Sequence, residues 1–392
     1  MKEKKNTLWT LNFTSLFITN LVLFLGQFMM NTLLPKYLSA WGFSASIIGI
    51  VVSMFSVTAI CTRPITGPLI DGMDKKKLYI ITLLFTMAAS FGYALSPNVV
   101  CVAVSRLLHG VGIGSNSALG LAIVTEILPE DQMGTGISIY GLSNILSSAV
   151  GPGIGLAIAN TVGYRAAFAV SGCLLVCALI LSTRLSLPVN PNRKIVFSME
   201  NVVCKEAIIP AFFTFLLSFS RAGIMTYLVI YVTEYRGLST ASMTVYYVIN
   251  ALVMIFSRTY FGRLTDRKGF NFTMGPAYLF FGANLILLAF CTTDWMLYLC
   301  SALNAIGYGS ALATHQTLTM KMTPPEHRGA GSTTNYLGMD FGDLLGPTVC
   351  GFIVTGLGYE TMYLFSVIPL ALCAILFYTW FFHRRKIGKP VR

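Results

Sequence analysis

Thr62-Arg63-Pro64-Ile65-Thr66-Gly67-Pro68-Leu69-Ile70-Asp71 returns 195 residues later as Ser257-Arg258-Thr259-Tyr260-Phe261-Gly262-Arg263-Leu264-Thr265-Asp266, with Arg, Gly, Leu and Asp in register. Outward from this stretch the same offset holds without a gap. Gly42 and Ser44 meet Gly237 and Ser239, Gly112-x-Gly114-Ser115 meets Gly307-x-Gly309-Ser310, and Pro129 and Gly134 meet Pro324 and Gly329. Gly151-Pro152 meets Gly346-Pro347, and Gly163-Tyr164 meets Gly358-Tyr359. A single offset across all these blocks predicts two copies of one module. The functional site is therefore expected between the copies.

The solvent of that module is lipid. Of 392 residues, 55% are hydrophobic and 11% charged, and the mean hydropathy is +0.70, which is outside the soluble range. Apolar stretches run approximately over 10–34, 45–66, 78–96, 98–125, 135–161, 166–186, 207–233, 243–261, 271–292, 295–319, 330–356 and 361–383. Each approaches the roughly 20 residues that cross a ~30 Å hydrocarbon core, giving about twelve helices, six per copy. Helices are required because lipid-exposed backbone must satisfy its own polar groups, and the glycines within the spans suit close helix packing. The expected fold class is an all-α membrane protein with two pseudo-symmetric six-helix bundles, 1–186 and 207–392. A cytoplasmic linker, 187–206, joins them within the polar stretch Arg184–Glu206.

The 27 basic and 15 acidic residues give a net charge of +12. An even helix count with the N-terminus inside places nearly all the basic residues in the cytoplasm, including Lys75 to Lys77, Arg263, Arg267, Lys268 and Arg384 to Lys386. Only Lys36, Arg165 and Arg236 fall outside. The charge is thus a topology signal and an attraction to anionic membrane lipid, with no nucleic-acid site in it. A multi-pass protein of the plasma membrane (the inner membrane of a cell with two) follows, with both termini cytoplasmic and a monomer expected. The apolar run behind the N-terminal lysines is too long for a signal peptide and lacks a small-residue cleavage site, so it is read as the first helix. The nine cysteines have neither metal-like nor secreted-framework spacing and are read as small apolar packing.

Arg63 through Lys77 resembles the cytoplasmic signature loop of the major facilitator superfamily. Arg106-Leu107-Leu108-His109-Gly110-Val111-Gly112 is similar to the fourth-helix motif of that family, and Gly151-Pro152-Gly153-Ile154-Gly155 to the fifth-helix motif of its exporters. The first loop departs from the pattern, since Gly72 and Asp74 stand where a basic residue and a glycine are usual. The second copy, Asp266-Arg267-Lys268-Gly269, fits better. The resemblance spans essentially the whole chain and implies twelve helices that transport by alternating access. It also implies gating roles for Arg63, Gly67, Asp71, Lys75, Glu126, Gly151, Pro152, Arg258, Gly262, Asp266, Gly346 and Pro347. Glu126 would pair with Lys75 or a neighbour. Physically, Gly67 permits a close helix approach and Asp71 suits a neighbouring helix N-terminus. The alternatives are a solvated basic loop that only fixes topology, and glycines that only pack.

Charges inside a membrane are costly and point to function. Arg63 and Arg258 lie near helix ends, where snorkelling to the interface is the plain reading. Arg106, Arg221, Asp340 and Asp343 lie deeper, and the two acids, three residues apart, share a helix face. The resemblance makes the seventh and eleventh helices neighbours. Asp340 or Asp343 is expected to carry a coupling proton, with Arg221 setting its affinity; the alternative is a static buried salt bridge. Polar stripes outline a substrate cavity: Asn20, Gln27 and Asn31 on the first helix, Arg106 and Asn116 on the fourth, Tyr227 on the seventh, and Asn304, Tyr308 and His315 on the tenth. Each of these residues alone is explained by an ordinary interhelical hydrogen bond. The first helix lacks the embedded acid that many multidrug exporters of the family carry, and two deep arginines suit an anionic or zwitterionic substrate.

These features predict a secondary active transporter, coupled to protons, that exports a small amphipathic drug or metabolite. One proton falling through 100 mV supplies about 2.3 kcal/mol, enough for a roughly fifty-fold solute gradient. No Gly-x-x-x-x-Gly-Lys-Ser/Thr loop is present, so ATP drive is not expected. The histidines do not combine with acids or cysteines at ligand spacing, so no enzyme, metal or cofactor is expected. Alternatives are symport of a sugar or organic anion, and an uncoupled receptor or lipid flippase on the same scaffold.

Overall fold

The computed structural model describes residues 8–128, 132–187, 203–324 and 327–386. Its α-helices are α1 (Leu11–Ala40), α2 (Ala45–Gly72), α3 (Lys75–Leu95), α4 (Val99–Ile127), α5 (Met133–Thr161), α6 (Tyr164–Thr183), α7 (Ile208–Ile230), α8 (Thr240–Lys268), α9 (Phe270–Ala289), α10 (Asp294–Met322), α11 (Arg328–Phe365) and α12 (Val367–Lys386). No strand occurs among the described residues. Eleven helical segments there are long and apolar enough to cross a membrane, and the last, Gly329–Lys386, contains both α11 and α12. This is an all-α membrane fold.

The repeat is written into the backbone. Gly42 and Gly237 have φ of 81° and 69°, and Gly163 and Gly358 have 106° and 87°. L side chains avoid that region, so the chain turns at matching places in each copy. Gly358 breaks α11 with ψ 173°, and the helical run after it begins at Tyr359 just as α6 begins at Tyr164. A smaller interruption at Ser366 follows from Pro369, which has no N–H to offer the Phe365 carbonyl.

The chain forms two compact units, one of residues 1–30 and 61–197, the other of 31–60 and 198–392. This differs from a division at 187–206 by residues 31–60, the end of α1, the Gly42 turn and the start of α2. That segment touches the second unit at close range: the Tyr227 hydroxyl lies 2.8 Å from the Ala45 carbonyl and Ser53 Oγ lies 3.0 Å from Thr348 Oγ1. Most of the linker, 188–202, lies outside the described residues.

In the first unit α3 packs on α4 and α6, and α5 packs on α4 and α6. In the second, α10 packs on α8 and α9, and α7 lies against α10, α11 and α12. Matching glycines hold corresponding crossings. A Cβ on Gly112 would collide with Thr86 Oγ1 of α3, and one on Gly307 with the Phe281 main chain of α9. Along α11 every fourth residue from Gly338 to Gly346 is glycine. Added Cβ atoms there would strike the Ala211 and Phe215 carbonyls and the Ala222 methyl of α7. Without a hydrophobic drive between helices in lipid, such small-residue stripes set the approach.

Candidate functional site

In the first unit Asn20 and Asn116 are absorbed into helix-to-helix hydrogen bonds. Asn20 on α1 donates to Ser143 Oγ at 2.6 Å and accepts from the Tyr140 hydroxyl at 2.8 Å, both on α5. Asn116 on α4 accepts from Thr82 Oγ1 of α3 at 3.0 Å and donates to its own Gly112 carbonyl. Arg106 is buried beside Tyr93 and His109, which are themselves 3.3 Å apart. Gln27 is buried, with no partner for Oε1 among the described residues.

At the end of α2, Asp74 caps α3 by accepting from the Lys76 and Lys77 amides. A carboxylate there suits the positive end of the helix dipole. Lys75 is 2.8 Å from Glu126 of α4. Arg63 is half-buried and makes a polar contact. The side chains of Asp71 and Asp266 lie outside the described residues. The close helix approach expected at Gly67 is absent, as it is at Gly262: a Cβ at either would meet nothing within 4 Å. Gly151 does serve as a close contact, since its Cβ would lie 2.9 Å from the Leu25 carbonyl of α1.

The second unit holds the ionisable candidates. Asp340 is 3% exposed and Asp343 half-buried, both on α11 within the span of the glycine stripe. Both have polar contacts. Arg221 departs from the expected pairing with these acids. Its guanidinium donates to the Tyr308 hydroxyl at 3.2 Å and stacks 4.3 Å from that ring's centroid, and its Nε has no partner among the described residues. A ring face and one hydroxyl leave most of an arginine's five donors unused.

On α10, Tyr308 and Asn304 are buried, and Asn304 Oδ1 is without a partner among the described residues. His315 turns toward α9 and α12, where its Nε2 lies 2.7 Å from the Tyr278 hydroxyl, in turn 3.6 Å from Cys373 Sγ. Asn335 of α11 was not among the candidates, yet it donates to Thr214 and Thr319 at 2.9 and 2.8 Å and ties α7, α10 and α11 together. Asn335 stands 195 residues after Tyr140, so two polar residues at one repeat position were the available signal. No three His, Cys, Asp or Glu side chains gather as a metal site among the described residues.

Residues 31–60 form a clamp within the second unit. Lys36 donates to Thr233 at 3.0 Å and Ser39 to Glu234 at 2.8 Å. Ser46 pairs with Thr355 at 2.8 Å. The Tyr227 hydroxyl shares its proton between the Ala45 carbonyl and the Pro347 carbonyl at 2.9 Å. Gly49 and Gly351 make room for this contact, because a Cβ on either would collide with the Pro347 or Ala45 carbonyl. Asn31, half-buried and in polar contact, opens the segment.

The sequence model of the Major Facilitator Superfamily matches residues 16–283 and 211–392. The quinolone resistance protein NorA of Staphylococcus aureus strain COL is 24% identical over 351 residues, 86% of this chain and 88% of NorA. An uncharacterised MFS-type transporter of Methanocaldococcus jannaschii, MJ1560, is 23% identical over 380 residues, covering 93% of this chain and 96% of its own. Among solved structures, a mutant form of the nucleoside transporter NupG superposes with a TM-score of 0.77 at 15% identity, over 95% of this chain and all of NupG.

Proposed function

Because the chain belongs to the Major Facilitator Superfamily, we propose that it is a proton-coupled exporter of a small amphipathic drug or metabolite, working by alternating access in the plasma membrane with both termini in the cytoplasm. The observation that carries this reading is Asp340, a carboxyl 3% exposed in the middle of a membrane helix. An ionisable group at that depth is costly to bury and marks a functional position. Asp343, one turn away on α11 and half-buried, is the other candidate carrier of the coupling proton. Arg221, engaged by Tyr308 rather than by these acids, is free to answer the substrate. The similarity to NorA, a quinolone resistance protein, supports export.

The clamp of residues 31–60 on α7 and α11 is read as a gating contact. The test is proton movement in inverted vesicles, followed with a pH-sensitive dye over a panel of solutes, for wild type, Asp340→Asn and Asp343→Asn. Substrate-triggered proton flow lost in a mutant supports antiport. Full coupling in both mutants sinks the assignment of these acids, and flux without protons makes facilitated diffusion or lipid flipping the better reading.

A further inference from the structure

Arg258 is half-buried on α8. It lies about 15 Å from the end of α8 by the helical rise, and it lines a cleft of about 160 Å³ with Phe261, Gly262 and Thr265 of α8 and Ser310, Ala313, Thr314 and Thr317 of α10. Its Nε is buried without a hydrogen-bond partner, and no carboxylate is paired with it among the described residues. Its electrostatic neighbours are Tyr308, Tyr336 and a second guanidinium, Arg221. Two guanidiniums of one sign within mutual range, neither paired with a carboxylate among the described residues, lack a counter-charge.

We propose that this α8–α10 cleft binds an oxyanion, a carboxylate or phosphate monoester, with Arg258 as its principal donor. The inference rests on the transport reading and names the chemical class of one substrate group. The cavity is smaller than the roughly 300–1,000 Å³ of a drug-sized site, so it takes a head group and leaves the apolar remainder outside. The walls fit that role. Thr314, Thr317 and Thr265 donate at present to the Ser310, Ala313 and Phe261 carbonyls of their own helices. Those carbonyls already serve the helix ladder, so the Thr314 and Thr317 hydroxyls can turn to a ligand oxygen at small cost, whereas Thr265 is also held by Thr273 at 2.8 Å. Ser310 shares a proton with Ser257 at 2.6 Å. A planar guanidinium fork matches a carboxylate or phosphate edge with two parallel bonds.

The first copy shows what the cleft is without this chemistry. Its Arg63 has a contact of its own, whereas the Nε of Arg258 has no hydrogen-bond partner among the described residues. The positions of Thr265, Thr314 and Thr317 are Ile70, Leu119 and Ala122 there, and Thr66 Oγ1 donates to Ser115. The three threonines at 265, 314 and 317 are thus particular to the second copy, while the serine at 310 is shared as Ser115.

The experiment measures retention of radiolabelled phenyl phosphate by the full-length protein in phosphatidylcholine nanodiscs, with benzyl alcohol and benzylammonium as competitors. Wild type retains the anion and neither competitor displaces it. Arg258→Gln weakens retention by about tenfold or more, the size of a lost charge-assisted contact. Arg258→Lys, which keeps the charge and serves as the folding control, weakens it less, and Thr314→Val with Thr317→Val weakens it severalfold. Equal retention by Arg258→Gln, or displacement by benzylammonium, overturns the proposal. Replacing part of the phosphatidylcholine with phosphatidylglycerol separates the sources: a lipid headgroup displaces the probe, whereas a site for soluble anions keeps it. Retention in a protein that moves no solute leaves the site standing without the transporter, and flux with Arg258-independent retention removes the site alone.

Discussion

The interface of α1 with α5 and that of α7 with α11 occupy the same place in the repeat, yet they are built in different ways. In the first copy, Ser143, Ser147 and Gly151 face α1, with Ser143 accepting from Asn20 and Ser147 donating to the Leu21 carbonyl at 2.7 Å. In the second, Gly338, Gly342 and Gly346 stand at those positions and the backbones meet directly. The same contrast runs through the charges. Arg106, Arg221, Asp340 and Asp343 have Ser301, Gly26, Ile145 and Ser148 as counterparts, while the turns at Gly42, Gly163, Gly237 and Gly358 repeat. Scaffold and hinges are thus common to both copies, and the ionisable chemistry is particular to each. Duplication of a module fixes where helices turn, whereas a coupled site needs unlike groups.

The largest break in this comparison is expected at Asp340. Asp340→Asn abolishes proton-driven flux, whereas Ile145→Asn at the equivalent position leaves it within a few-fold, as a dye-based vesicle assay reads. Next comes the glycine stripe. Gly342→Leu pushes α11 off α7 and costs about 1–3 kcal/mol by overpacking, seen as a lowered midpoint of thermal unfolding in detergent. Ser147→Ala at the matching position costs about 0.6 kcal/mol, the typical worth of an interhelical hydrogen bond in lipid.

Tyr227→Phe removes the hydroxyl that serves both the Ala45 and Pro347 carbonyls. It should raise external labelling of Ser46→Cys, in a cysteine-free background, by about fivefold. A rate unchanged from the parent would mean the clamp does not depend on that bond. Smaller again is Asp74→Ala, which costs about 1 kcal/mol as a lost N-cap. Asp74→Gly, which copies the Gly269 of the second copy, should cost only a few tenths. Lys75→Ala comes last, at or below about 1 kcal/mol, because the ion pair with Glu126 is partly solvated, with side chains 13% and 21% exposed.

Much of the architecture was legible in the residues. Twelve apolar stretches foretell α1 to α12, and the paired Gly163 and Gly358 mark two turns that only glycine takes without strain. The deviation of the first signature loop was also readable: Asp74, out of place as a loop residue, is in place as a cap. The polar stripes were harder. Asn20, Asn116 and His315 share helix faces with other candidates, but a face says nothing of which neighbour answers it, and all three are met by α5, α3 and α9. For Arg258, distance from a helix end suggests snorkelling but says nothing of the cleft between α8 and α10 that the side chain lines.

The sequence by itself determined the solvent, the helices, the repeat and the depth of each charge, since hydropathy, turn chemistry and period are local properties of the chain. Only the tertiary structure decided partners. It gave Arg221 to Tyr308 rather than to an acid, joined residues 31–60 to the unit that begins at Ser198, and left Arg258 in a hydroxyl-lined cleft. The physical reason is that an interhelical bond depends on rotation and crossing angle, which the backbones of two helices set jointly and neither sequence segment encodes alone.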